Sequence, residues 1–236
     1  MALPVLTAPK YTLTVPSTQQ TIEYRPFLVK EEKILLLAQE SNNQKEIMSA
    51  IRDVVETCTY GTVKANLLTS FDLEYIFLKL RAKSVGEIVD IKCKCTSCET
   101  YGAGEVNLDT VEVTWPSTKV DNKIMLTDKV GIVLRHISVD DLNKIGLDEN
   151  VNVETVTNMI IASIESIFDD SAVYPAAQSS QAELKEFVNS LSRSQVSKIE
   201  AYIENAPKLQ HEIRFVCAQC KTDNSQVLTG TQSFFA

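Results

Sequence analysis

Two Cys-x-x-Cys pairs, Cys95/Cys98 and Cys217/Cys220, constrain this chain more than any other feature. They lie in Cys93-Lys94-Cys95-Thr96-Ser97-Cys98 and Cys217-Ala218-Gln219-Cys220, and each follows an alternating, strand-like run. The spacing lets two sulfurs of one tight knuckle reach one ion. A second knuckle completes a tetrahedral site, usually for zinc. An ordinary zinc ribbon separates its knuckles by about 15–20 residues. Here half the chain lies between them, so a shared metal requires a split ribbon with a large insertion. Four cysteines, Cys95, Cys98, Cys217 and Cys220, close the coordination sphere, which makes the zinc structural rather than catalytic. Cys93 also stands within reach of Cys98. Cys95 is the better partner because its spacing repeats in the second pair, and Cys93 is a substitute ligand.

The segments around the knuckles define an α+β chain. Tyr11 to Val15 alternates, Pro16-Ser17-Thr18 turns, and Thr21 to Phe27 returns, which predicts an N-terminal β-hairpin. Helix formers fill Val29 to Glu40, and a second helix aligns Ile47, Ile51, Val54, Val55 and Cys58. Cys58 reads as a small buried thiol on that stripe. Thr69-Ser70 caps a third helix, Phe71 to Lys83, whose broad apolar face predicts burial between neighbours. Glu87 to Cys95 reads as a strand, Glu99 to Gly104 as a polar loop, and Glu105 to Leu108 and Val111 to Trp115 as short return strands.

Between the knuckles, the stretch 119–135 looks extended and Val139 to Ile145 helical. Asn152 to Phe168 carries Val153, Val156, Ile160, Ile164 and Ile167 at helical spacing, and the loop 169–175 follows. Ser180-Gln-Ala-Glu183 is a capping box, opening a helix that Ser192 to Ser194 separate from another. Leu209 to Cys217 alternates again, and Gln226 to Thr229 returns. The expected organisation is therefore 1–86, hairpin plus helical region; 87–116, first half of the zinc ribbon; 117–207, a large, mostly helical insertion; and 208–236, second half of the ribbon and tail, all in one compact unit. Phe234-Phe235 either packs on the ribbon or forms a docking tag.

Several function classes fit the residues poorly. Net charge is −8, against the basic face that phosphate neutralisation needs. The start, Met1 to Lys10, lacks a charged segment followed by a long apolar run, so no secretory signal is expected. No apolar run approaches the roughly 20 residues of a membrane span. Only two histidines occur, His136 and His211, neither in a catalytic motif. No phosphate loop, nucleophile elbow or His-Glu-x-x-His is present. Asp140-Asp141 and Asp169-Asp170 read as helix-start or loop acids. Nothing here predicts an enzyme.

Three stretches resemble one family. Tyr24-Arg-Pro-Phe-Leu-Val-Lys-Glu-Glu-Lys-Ile-Leu-Leu-Leu-Ala-Gln-Glu-Ser41 is similar to the opening of baseplate hub proteins of T-even-type contractile-tailed bacteriophages. So are Phe71-Asp-Leu-Glu-Tyr-Ile-Phe-Leu-Lys-Leu-Arg-Ala-Lys-Ser-Val-Gly-Glu87 and the closing Phe215-x-Cys217-x-x-Cys220 with Phe234-Phe235. The resemblance implies a non-enzymatic structural or assembly protein of the tail baseplate hub. Its implied partners are other hub and tail proteins, the tape-measure protein among them. Its implied location is the host cytoplasm during assembly and the virion tail baseplate. The rival reading from the residues alone is a zinc-ribbon nucleic-acid-binding accessory protein.

Overall fold

The first alternating stretch forms the expected hairpin. Strands β1 (Tyr11–Thr14) and β2 (Thr21–Tyr24) pair antiparallel, with Leu13 opposite Ile22. The computed structural model describes residues 6–117, 120–146 and 152–230. The hairpin turn is anchored from elsewhere. Ser17 donates its amide (3.0 Å) and hydroxyl (2.5 Å) to the carboxylate of Asp72, which also accepts from Thr69 Oγ1 at 2.6 Å. Asp72 is fully buried, and these donors make that burial tolerable.

Helix α1 (Val29–Glu40) starts where Glu31 reaches back: one carboxylate oxygen accepts from the Leu28 amide at 2.8 Å, the other from Arg25 at 3.0 Å. Only Glu31 and Ala38 of this helix are buried. Helix α2 (Gln44–Cys58) is capped by Asn43 and buries Ile51, Val54, Val55 and Cys58. Burial pushes the Cys58 thiol up to about 11, so it stays protonated as a core side chain. Helix α3 (Ser70–Ser84) is buried on nearly every side, with Leu73, Ile76, Phe77, Leu78 and Leu80 almost inaccessible. Each such side chain contributes about 1.5–3 kcal/mol by leaving water. Lys79, also buried, points its ammonium at the carbonyls of Asp109 (2.6 Å) and Val111 (3.0 Å).

Strands β3 (Ile88–Lys94) and β4 (Tyr101–Asn107) form the hairpin that carries the first knuckle. Strand β4 begins in the stretch expected to be a polar loop. Gly102 and Gly104 are strand residues, opposite Cys93 and Ile91 of β3, and glycine suits them because another chain segment approaches closely: a Cβ at Gly102 would touch the Phe215 ring at 3.7 Å. A 3-10 turn over Leu108–Thr110 leads to β5 (Val113–Thr114).

The segment Trp115–Pro207 forms its own compact unit, separate from the unit made by 1–114 and 208–236. It contains a four-stranded antiparallel sheet as well as helices. β6 (Lys123–Met125) and β7 (Gly131–Leu134) come first, followed by α4 (Val139–Ile145) and α5 (Val153–Ser163). The helix expected over Asn152 to Phe168 ends at Ser163, and β8 (Ile164–Phe168) follows without a loop. Ile164 and Ile167 fit a helical stripe, but Ile-Glu-Ser-Ile-Phe also suits a strand, and β7 supplies the partner edge. The loop expected next is a tight turn at Asp169 leading into β9 (Val173–Pro175), so the sheet runs β6-β7-β8-β9. Helices α6 (Gln181–Asn189), with its capping box at Ser180 and Glu183, and α7 (Arg193–Glu204) cover it. Ile132, Leu134, Ile160, Ile164, Leu184 and Ile199 form the core of this unit.

The chain then returns to the first unit. Strand β10 (Lys208–Val216) pairs with β5 through Leu209 and Val113, and with β11 (Asp223–Thr229) along its length. The two hairpins β3–β4 and β10–β11 each end in a cysteine knuckle. The fold is thus mixed α and β, with an N-terminal hairpin, seven α-helices among the described residues and a cysteine cluster split across the chain. The Phe234-Phe235 tail lies outside the described residues.

Candidate metal centre

Each knuckle is built in the same way. In the first, the Cys95 amide donates to Thr100 O at 2.9 Å and the Glu99 amide to Cys95 O at 3.0 Å. In the second, Cys217 donates to Thr222 O at 2.9 Å and Lys221 to Cys217 O at 3.0 Å. Glu99 (φ 59°) and Lys221 (φ 61°) both take the left-handed conformation that closes the turn, at a strain cost of about 1–2 kcal/mol. The shared motif is therefore longer than Cys-x-x-Cys. It is Cys-x-x-Cys-x-Thr, in Cys95 to Thr100 and in Cys217 to Thr222. The two threonines were legible as a repeat and carry a role of their own: each hydroxyl lies beside the second sulfur of its knuckle, Thr100 at 3.5 Å from Cys98 and Thr222 at 3.2 Å from Cys220.

The fold brings all four predicted ligands together. Their sulfurs lie within 4.8 Å of one another. The two close contacts are between knuckles: Cys95 to Cys220 at 3.6 Å and Cys98 to Cys217 at 3.5 Å. A tetrahedral ion with metal–sulfur bonds of about 2.3 Å holds its sulfurs about 3.8 Å apart, so the donor set fits zinc. Cys95 and Cys217 are buried, Cys98 is half-buried and Cys220 is exposed, which leaves an entry path on the Cys220 side.

Cys93 is not one of the four. It sits opposite Gly102 in the β3–β4 ladder, fully buried, and a Cβ at Gly104 would come within 3.2 Å of its sulfur. Burial raises its thiol above the ordinary range. For Cys95 the effect is opposite: the amides of Cys98 and Ser97 hold the thiol below that range. Thr222, by side chain and amide, and then Cys98 bring Cys220 down to about 6. The Cys217 thiol goes the other way: the amides of Cys220 and Gln219 lower it, but burial and the Cys98 and Cys220 sulfurs leave it above the ordinary range. The easily formed thiolates that suit a metal ligand are therefore Cys95 and Cys220.

Sequence reasoning missed the bonds that tie one knuckle to the other. Thr100 Oγ1 donates to Gln219 Oε1 at 2.6 Å. Asn224 Oδ1 accepts from the amide and the hydroxyl of Thr96, both at 2.9 Å. No spacing rule marks Asn224; its role depends on β11 lying beside the first knuckle.

Neither histidine joins the cluster. His136 stacks on Tyr202 with ring centroids 5.3 Å apart, and His211 is half-buried in the β10–β11 ladder opposite Leu228. Among the described residues, no helix is long and apolar enough to cross a membrane.

No curated protein and no solved structure matches the chain. A family model does: the one described as T4 bacteriophage base plate protein aligns with residues 8–236, through both knuckles and the segment between them, and the chain belongs to that family.

Proposed function

We propose that this protein is a non-enzymatic structural or assembly protein of the phage tail baseplate hub, acting through protein–protein contacts and stapled by one structural zinc. Membership of a base plate family over nearly the whole chain carries this reading. The partners are other hub and tail proteins, with the tape-measure protein among them. The protein acts in the host cytoplasm during assembly and in the tail baseplate.

Two physical features support it. Four sulfur ligands leave a metal no open position for a substrate, so the ion serves the fold. Helix α1 leaves Val29 (65%), Leu36 (52%) and Leu37 (66%) exposed on a helix that buries almost nothing. Such residues suit a surface that meets another protein. A second of the three stretches that carry the family resemblance, Phe71 to Glu87, does not suit it, because α3 spends its apolar side chains inside the unit.

The nucleic-acid reading has less support. Two cations near the knuckles are paired with acids: Lys94 with Glu99 at 3.0 Å and Arg214 with Glu212 at 3.0 Å. The discriminating experiment is co-purification of the tagged chain from infected cells, followed by mass spectrometry of the eluate and of purified virions. Recovery of tail proteins supports the proposal. Recovery of nucleic acid that is lost at raised salt, with no tail protein, overturns it.

A further inference from the structure

We infer that Asn224 is the positioning residue of the metal centre: it locks the first knuckle onto the second and donates a hydrogen bond to the most deeply buried ligand sulfur. The inference rests on the metal reading of the four sulfurs. Asn224 lies on β11, two residues past the second knuckle, and is 6% exposed. A side-chain amide offers two acceptor lone pairs and two donor hydrogens. All four are used. The oxygen accepts from the Thr96 amide and hydroxyl at 2.9 Å each. The nitrogen donates to Thr222 O at 2.8 Å and to Cys95 Sγ at 3.5 Å.

This set of bonds needs an amide. A carboxylate of the same shape keeps the two bonds from Thr96 but has no hydrogen for the Thr222 carbonyl or the Cys95 sulfur. It also places a negative charge beside four thiolates. The sulfur that receives the bond is the one that most needs it. Cys95 is 1% exposed, so water cannot support its charge. Its other donors are the Cys98 amide and the Ser97 amide, the latter at 3.4 Å, and both belong to its own knuckle. Cys220, being exposed, has solvent for this purpose. Partners of this kind typically change metal affinity by about 10–100-fold when removed.

The test compares the full chain with Asn224→Asp and Asn224→Ala. Zinc affinity is measured by chelator competition, the ligand field by cobalt(II) absorption, and folding by thermal melting in excess chelator. Affinity weakened about 10–100-fold in both variants, with a shifted sulfur-to-cobalt charge-transfer band, supports the inference. Wild-type affinity in Asn224→Asp overturns it, since that variant removes the donor and keeps the Thr96 bonds. Wild-type protein that takes up neither zinc nor cobalt removes the centre itself, a different failure. If the variants do not fold, the wild-type protein loaded with an NMR-active cadmium isotope decides. Scalar coupling between cadmium and an Asn224 amide proton supports the bond, and its absence, with coupling present at the Ser97 amide, overturns it.

Discussion

Gly104 of β4 lies against Ile213 of β10, so close that a Cβ at Gly104 would overlap Ile213 Cδ1 and press on Cys93 Sγ at 3.2 Å. This contact brings the two hairpins together and so sets where their knuckles meet. Ile213 is 4% exposed and Cys93 fully buried, so neither has free space to move into.

Gly104→Ala is therefore expected to destabilise the protein by about 1–3 kcal/mol, the usual range for overpacking a tight core. Denaturant unfolding measures it. Adding Ile213→Val removes the overlapping methyl and should recover part of the loss. Equal stability of Gly104→Ala and wild type would show that the hairpins are not held at this distance.

Much of the fold was legible in the sequence, and Gly104 shows where legibility stopped. The N-terminal hairpin, the caps at Thr69 and Ser180 and the alternating run before each knuckle follow local rules that one segment obeys alone. The two Cys-x-x-Cys pairs were legible for the same reason, because a knuckle is a local object; that the fold clusters their four sulfurs is what the structure adds. Gly104 reads locally as loop. Pairing opposite Ile91 makes it a strand residue, and the arrival of Ile213 from the far end of the chain requires a glycine there. Ile164 behaves likewise, since helix and strand patterns both fit it and β7 decides. Asn224 carries no local signal, because three of its four bonds go to Thr96 and Cys95, which tertiary structure brings to it.

Lys79 gives a test of how α3 holds the first knuckle's hairpin. Its ammonium serves the carbonyls of Asp109 and Val111 and also meets Glu112 at 3.3 Å. Lys79→Met fills the space but leaves those carbonyls without their donor, and is expected to cost about 2–4 kcal/mol. Glu112, 66% exposed, is a weak partner, so Glu112→Gln should cost under about 1 kcal/mol. Urea titration of the two variants separates them. Similar losses would mean that the ion pair, not the carbonyl cage, holds the turn.

Glu74 predicts a pH dependence. Burial raises its carboxyl from 4.5 to about 7. The folded state then binds a proton that the unfolded chain releases, so this group's contribution is full below about 4.5 and is lost as pH rises through about 7. Glu74→Gln removes the titration while keeping the shape. The variant should melt close to wild type at acidic pH and above it at pH of about 8. A constant difference across that range would show that Glu74 titrates as an ordinary carboxylate.

The cysteines separate staple from core. Cys217→Ser removes one of the four proposed sulfur ligands and is expected to abolish tight zinc binding and lower the melting temperature of zinc-loaded protein. In excess chelator the two proteins should melt within a few degrees of each other, because Asn224, Thr100 and the Gly104–Ile213 contact join the hairpins without metal. Cys93→Ser should do the reverse. It keeps one zinc per chain and loses stability with or without chelator, because it puts a hydroxyl in an apolar site. Zinc stoichiometry and paired melting curves check both. Full zinc occupancy in Cys217→Ser would mean that the four sulfurs do not share one ion. Zinc loss in Cys93→Ser, with the chelated protein unchanged, would instead make Cys93 a ligand.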